Sequence, residues 1–335
     1  MAQLVLGIGT SHSPLLALPS TQWVHRAEVD RNNPALNLAD GRLLSYAELL
    51  AEVGPRHEAA MAPEVLAAKA AASQQALDRL ADELEQAAPD VVVIVGDDQA
   101  ELFGPHNQPA IAIYHGAELA TLEGKYARAD APEWMRQVGR EYLMEKSHQA
   151  ATHADLGLHL IHGMMREHID VASVAHVPDP RQAGFGHAYG FVIQRLMRRR
   201  RVPVVPIMLN TYFPPNVPTS ARAYDMGVAL RKAIEAAPVD ARVAVVASGG
   251  LSHFVVEEAW DRRLLQAMAE HDTSVLRSVP AAALQSGSSE VLNWILVAGA
   301  MTGMAMAWQV YQPLYRTPAG TGIGVAFCAW RPQTA

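Results

Sequence analysis

The chain has one cysteine, Cys328, among 335 residues, so no disulfide can close within it. That suits a reducing compartment, and a cytoplasmic protein is expected. Basic residues are not in excess either: 27 Lys and Arg stand against 34 Asp and Glu, a net charge of −7. Phosphate backbones are bound through clustered Lys and Arg, so nucleic acid is not an expected partner. The single basic run, Arg198–Arg201, reads as a solvated helix end ahead of a strand. No apolar stretch is both long and uninterrupted. Trp294–Val310 comes nearest, but it contains Gly299 and Gly303 and is bounded by Glu290. It reads as part of a buried helix, not a membrane span. The opening residues, Met1-Ala2-Gln3-Leu4-Val5-Leu6, lack the basic region and long apolar core of a signal peptide. A membrane is therefore not an expected partner.

What the chain does have is core-forming material and histidine. Half its residues are hydrophobic, enough for a sizeable core, and it carries 14 histidines, which invites a search for metal or acid–base chemistry. Apolar runs at 3–8, Asp90–Val95, Pro109–Tyr114, Asp170–Val177, Val202–Leu209, Arg242–Ala247 and Gly322–Trp330 read as strands, mostly buried. Between them, Pro63–Ala88, 132–148, 153–168, His187–Arg200, Ser220–Ala236, Glu258–Glu270 and Glu290–Gln309 read as helices. This alternation predicts an α/β fold: a single large domain, 1–335, with a central, largely buried sheet flanked by helices. Residues 20–60 differ. They hold the turn signals Asn33-Pro34 and Asp40-Gly41 and a short helix, Ser45–Val53, capped by Ser45, and they read as a lid-like excursion over the surface.

Polar clusters follow several buried strands directly, which is where open α/β sheets place their sites. His12 follows the first strand, Asp97-Asp98-Gln99 the second, and Ser248-Gly249-Gly250-Leu251-Ser252-His253 a later one. Glu290 opens a helix after Ser286-Gly287-Ser288-Ser289. Each alone reads two ways. His12 and His253 are metal or proton-transfer groups, or histidines bonded to backbone. Asp97 and Asp98 are a metal-binding pair or turn residues, and Glu290 is a ligand or a helix-cap partner. Among the other histidines, His115, His159 and His187 lie next to glycine or in apolar frames. No P-loop, His-Glu-x-x-His or Gly-x-Ser-x-Gly motif is present.

Taken in order, the segments Thr10-Ser11-His12-Ser13-Pro14, Gly96-Asp97-Asp98-Gln99 with Phe103, Ser248–His253, and Gly287-Ser288-Ser289-Glu290 with Trp294 resemble the class III extradiol ring-cleavage dioxygenases. That family includes the catalytic β-subunit of protocatechuate 4,5-dioxygenase. The pieces Asn33-Pro34-Ala35-Leu36, Gly186-His187-Ala188-Tyr189-Gly190, Asn210–Pro215 and Pro318–Gly322 resemble its single-chain, 3-O-methylgallate dioxygenase-like branch. The resemblance implies the β-subunit's fold and an Fe(II) held by His12, a second donor and Glu290, with His253 as the acid–base histidine. It implies O2 and a small catecholic acid of 3-O-methylgallate, gallate or protocatechuate type as substrates. A homodimer is the default assembly for such enzymes.

Two positions depart from the family pattern. Gln99 stands where the family has its second histidine ligand; Asp98, Glu101, His57 and His115 are other nearby or recruitable donors. The family also has an Asp-His-Gly whose histidine lines the site; here that stretch is His153–His159, Leu156 replaces the histidine, and His159 stands one helical turn on. These changes keep a second reading open: a hydrolase or lyase on a related compound that uses the fold with Mn(II) or Zn(II) and without O2. A third reading is a non-enzymatic partner subunit. The joint presence of His12, His253 and Glu290 weighs against it.

Overall fold

The computed structural model of the chain describes residues 1–198 and 200–333. Nine strands form one mixed sheet among these residues: β1 (Gln3–Thr10), β2 (Val91–Asp97), β3 (Ile111–Tyr114), β4 (Ala172–Val174), β5 (Val204–Leu209), β6 (Arg242–Ser248), β7 (His253–Val255), β8 (Met304–Tyr315) and β9 (Thr321–Pro332). The order is β7-β9-β1-β6-β2-β5-β3-β4, with β8 paired along β9. Its centre, β1-β6-β2-β5, is parallel, so Thr10, Ser248, Asp97 and Leu209 all end at one edge of the sheet. β3 runs antiparallel to β5, so Tyr114 lies toward the opposite edge.

The principal helices are α1 (Val24–Arg31), α2 (Tyr46–Val53), α3 (Pro63–Ala87), α4 (Ala154–Arg166), α5 (His187–Phe191), α6 (Ser220–Glu235), α7 (Glu258–Glu270) and α8 (Val291–Ala300). α4, α6, α7 and α8 cover one sheet face, and α3 and α5 the other, giving two apolar cores. Val91 to Val95 are fully buried because the strand is covered on both faces, and a continuous β-branched run suits that position. α2 starts at a capping box in which Ser45 and Glu48 exchange bonds, as its serine suggested.

Three expected elements differ. The helix expected over Glu290–Gln309 stops at Ala300; Gly303 turns the chain at φ +83°, and Met304–Tyr315 is strand β8. The apolar content of that stretch hid a switch to alternate burial, since every second residue from Ala305 to Trp308 faces outward. The helix expected over 132–148 covers Glu133–Glu141, and Gln149–Ala151 pairs instead with Glu118–Ala120. The helix expected from His187 widens into a π turn at Val192–Leu196. In the basic run, Arg199 lies outside the described residues; Arg198 and Arg200 pair with Asp82 and Glu85 of α3 on the surface.

Candidate metal centre

His12 stands two residues beyond β1, at the polar edge of the parallel strands. Its Nδ1 lies 2.9 Å from Ser248 Oγ, and the Ser248 hydroxyl donates to the Ala188 carbonyl at 2.8 Å. Because that one hydroxyl proton is committed, His12 must donate from Nδ1, and Nε2 is the ring atom left to meet the cluster. Nε2 is buried and has no hydrogen-bond partner. It faces Glu290 Oε2 at 3.4 Å and Asp97 Oδ1 at 3.8 Å. A buried imidazole nitrogen facing two carboxylates is the arrangement that a cation between them would satisfy.

His187 opens α5 and is presented in the same way. Glu101 Oε1 accepts from its Nδ1 at 2.7 Å and from its backbone N at 3.3 Å, which fixes the proton on Nδ1 and points Nε2 toward Asp97 Oδ2, 3.8 Å away. Metal-ligating histidines are commonly oriented by a carboxylate in this manner. Residue 186 has to be glycine for the contact to exist: a Cβ there would lie 1.7 Å from Glu101 Oε2. Against its burial, Glu101 and then Asp97 and Glu290 carry the His187 imidazole up to about 9 in the absence of an ion. The His12 and His187 rings meet edge to face, with centroids 4.5 Å apart.

Glu290 ends the tight turn Ser286–Glu290 just before α8, and its Oε2 accepts from Gly250 N at 2.7 Å. Burial would raise it, but His253, His12 and the Gly250 N–H together hold it below the usual carboxylate range. Burial and the Glu290 charge push Asp97 up to about 6. Among the described residues, one donor atom each of His12, Asp97, His187 and Glu290 lie within 4.8 Å of one another, all buried. Two imidazoles and two carboxylates fit a divalent first-row ion such as Fe(II) or Mn(II).

Gln99 is also brought here. Its amide nitrogen lies 3.2 Å from Asp97 Oδ2, 3.3 Å from His187 Nε2 and 3.3 Å from Glu290 Oε1. Asp98 is not a partner of the cluster; it caps the following turn through Leu102 N at 2.7 Å and Phe103 N at 3.2 Å, and burial raises it to about 7.

His253 sits beside the cluster at the start of β7. Its Nδ1 donates to Leu251 O at 2.9 Å, leaving Nε2 free to accept a proton, 4.0 Å from Glu290 Oε2. Burial lowers its pKa, so the ring is neutral. The ring fits between two glycines: a Cβ on Gly250 or Gly287 would lie 2.1 or 2.6 Å from it. Behind it, Ser288 Oγ accepts from His253 N at 2.8 Å and from Asn37 Nδ2 at 3.1 Å, so the 20–60 excursion touches the wall of the site. Asp261 braces the same loop, accepting from Ser252 N at 2.9 Å, Ser252 Oγ at 2.7 Å and the Tyr311 hydroxyl at 2.6 Å.

His159 is not brought to the cluster. Gly157 of α4 packs on Tyr114 and His115, toward the far edge of the sheet, and His159 is two residues from it. His115 bonds Ser173, and His57 stacks on Tyr315. Among the described residues, the histidine that joins His12 in the cluster is His187, supplied by a different helix. Sequence reasoning placed it in a motif without a role. Its signal was a histidine directly after a glycine, but Glu101, the group that defines it, is 86 residues away.

A family model described as the catalytic LigB subunit of aromatic ring-opening dioxygenase matches residues 55–326, most of the chain. A gallate dioxygenase from Pseudomonas putida is 28% identical over 194 residues, 54% of each chain, so the match spans about half the length of that relative. With the polar edge of a parallel sheet gathering two histidines and two carboxylates, and with this match over most of its length, the chain belongs to the family of the catalytic LigB subunit of aromatic ring-opening dioxygenase.

Proposed function

We propose that the protein is a non-heme Fe(II) extradiol dioxygenase that opens the ring of a catecholic aromatic acid of gallate, 3-O-methylgallate or protocatechuate type. The observation that carries this is the buried Nε2 of His12, without a partner and aimed at Glu290 and Asp97, with the proton-accepting Nε2 of His253 next to it. His12 and Glu290 are assigned as ligands, with His187 as the second imidazole and Asp97 beside them. A half-turn of the Gln99 amide would turn its oxygen toward the cluster, so Gln99 would complete the set.

When bound, Fe(II) supplies the charge that favours a catechol in its ionised form and the redox chemistry with O2. The chain's own residues do the rest. His253, neutral and anchored through Nδ1, takes a catechol proton at Nε2 and returns it later in the cycle. Ser248 and Glu101 hold the two ligand imidazoles in one tautomer. Residues 20–60 act as a lid, since Asn37 ties them to the Ser288–His253 contact. The chain acts as one catalytic unit over 1–335, as a cytoplasmic homodimer.

The test is anaerobic Fe(II) loading followed by oxygen-electrode assays on protocatechuate, gallate and 3-O-methylgallate. One O2 consumed per catechol, with a yellow product, is expected; no uptake with any of the three refutes the reading. The carboxylate-rich donor set, with Gln99 in place of an imidazole, favours one alternative, a Mn(II)- or Zn(II)-dependent hydrolase or lyase. Turnover of a ring compound in the absence of O2 would identify it.

A further inference from the structure

The loop that leaves β5 begins beside the metal cluster, because Leu209 stands in register with Asp97. Asn210 closes its turn: Oδ1 accepts from Phe213 N at 2.9 Å, and Nδ2 donates to Phe213 O at 2.8 Å. Inside that turn Thr211 is 2% exposed, and its Oγ1 has no hydrogen-bond partner among the described residues. A buried hydroxyl without a partner costs the fold stability, and one that lines a cavity is available to a ligand.

Thr211 lines a cavity of about 470 Å³ between this loop and the segment Val279–Ser286. Tyr212, Pro214, Pro215, Pro218, Val279 and Leu284 give it apolar and flat walls. No charged side chain lines it among the described residues, so a carboxylate there would lose its water without meeting a cation. Thr219 also lines it, but the Thr219 hydroxyl accepts from Arg222 N at 3.2 Å and caps α6. Thr211 Oγ1 is the one buried side-chain atom of the described lining residues that is left without a partner. A mostly apolar cavity of this size, with one hydroxyl able to donate and accept, fits a small aromatic ring that carries an uncharged oxygen.

The cavity shares a wall with the metal site without including it. His12, Asp97, His187, Glu290 and His253 do not line it. Ser286 does, and it opens the turn that ends at Glu290. Gln285 also lines the cavity, and Ser288 accepts from His253 N; the Asn37 amide joins these two, donating to Gln285 O at 3.2 Å and Ser288 Oγ at 3.1 Å.

We propose that this cavity is a binding site for a neutral phenol or aryl methyl ether, with Thr211 Oγ1 as its hydrogen-bond partner.

The test is anaerobic calorimetry at neutral pH on the metal-loaded, full-length protein. The probes are 3-methoxyphenol, which is uncharged and has no adjacent diol to chelate an ion, and anionic 3-methoxybenzoate. The phenol should bind the wild type. Thr211→Val keeps the shape and removes the hydroxyl, so affinity should fall roughly 3- to 10-fold, the worth of a neutral hydrogen bond. The melting temperature without ligand should hold or rise in Thr211→Val, because the hydroxyl satisfies nothing in the fold. Thr211→Ser should keep most of the affinity. Ala281 lines the cavity at an exposed position, so Ala281→Trp should block it and abolish binding of the phenol. No binding of 3-methoxyphenol overturns the proposal, as does unchanged affinity in Thr211→Val or Ala281→Trp. So does a lowered melting temperature in Thr211→Val, which would make the hydroxyl structural, or binding of the benzoate that Ala281→Trp removes. Oxygen uptake is not part of this readout, so the dioxygenase reading stands or falls separately.

Discussion

Glu101→Gln keeps the shape of the side chain that orients His187 and removes its charge. In the wild type both carboxylate oxygens accept, Oε1 from His187 Nδ1 at 2.7 Å and His187 N at 3.3 Å, and Oε2 from Gln99 N at 3.4 Å. Glutamine offers one acceptor and one donor. With its oxygen toward His187, its NH2 meets the Gln99 N–H. Turned round, it meets Nδ1 and drives the ring proton onto Nε2, the atom aimed at the cluster. The hydrogen bond at stake is charge-assisted and mostly shielded from water, worth about 1.5–3 kcal/mol. Loss of such an orienting carboxylate typically weakens metal binding about 10- to 100-fold. The two figures agree, since about 1.4 kcal/mol is tenfold. The assay is anaerobic competition for Fe(II) or Mn(II) against a chromogenic chelator, with thermal unfolding of the metal-free proteins as a control for folding. Unchanged affinity in a folded Glu101→Gln protein would refute the assignment of His187 as an oriented donor.

Four other outcomes follow from the same geometry. Ser248→Ala leaves the buried Nδ1–H of His12 without an acceptor and should weaken metal binding about tenfold in the same competition assay. Adding a chelator should lower the melting temperature, because an ion present at a thousand times its dissociation constant stabilises by about 4 kcal/mol; an unshifted melting curve argues against a preformed site. Asn37→Ala removes donors to Ser288 Oγ and Gln285 O, about 1 kcal/mol of support for the His253 backbone, and should slow turnover severalfold with metal content retained, as read by steady-state kinetics. Asp261 sets a pH signature: burial raises it from 3.8 to about 6, so the fold favours its protonated form. Its penalty is therefore absent below the unfolded pKa and grows as pH rises through the folded one, on the order of 3 kcal/mol between about pH 4 and 6. Asp261→Asn should remove that slope in denaturant midpoints measured across pH, and two parallel profiles would contradict it.

Much of the frame was legible in local sequence because local physics decides it. Val91 to Val95 is too continuously β-branched to be anything but a doubly covered strand, and Ser45 with Glu48 is a helix start by hydrogen bonding alone. His12, Asp97 and Glu290 could be proposed because polar residues placed straight after buried strands, or at a helix start, have few places to go. The strand at Met304–Tyr315 was not legible. Its composition is mostly apolar, with Gln309 and Gln312 the exceptions, and only pairing with Thr321–Pro332 fixes the period at two.

Three of the residues gathered at the polar edge of the sheet, His12, Asp97 and Glu290, were legible from the chain alone. The sequence also showed that Gln99 occupies the position where an imidazole was expected. Only the fold brings a second histidine into the cluster. His187 comes from a helix 88 positions beyond Gln99, and Glu101 fixes its tautomer. The fold also gave Arg316 to Asp30. The physical reason is the same in each case. A side chain's protonation, tautomer and pairing depend on groups within a few ångströms, and those groups are set by sheet order and helix packing, not by neighbours in the chain.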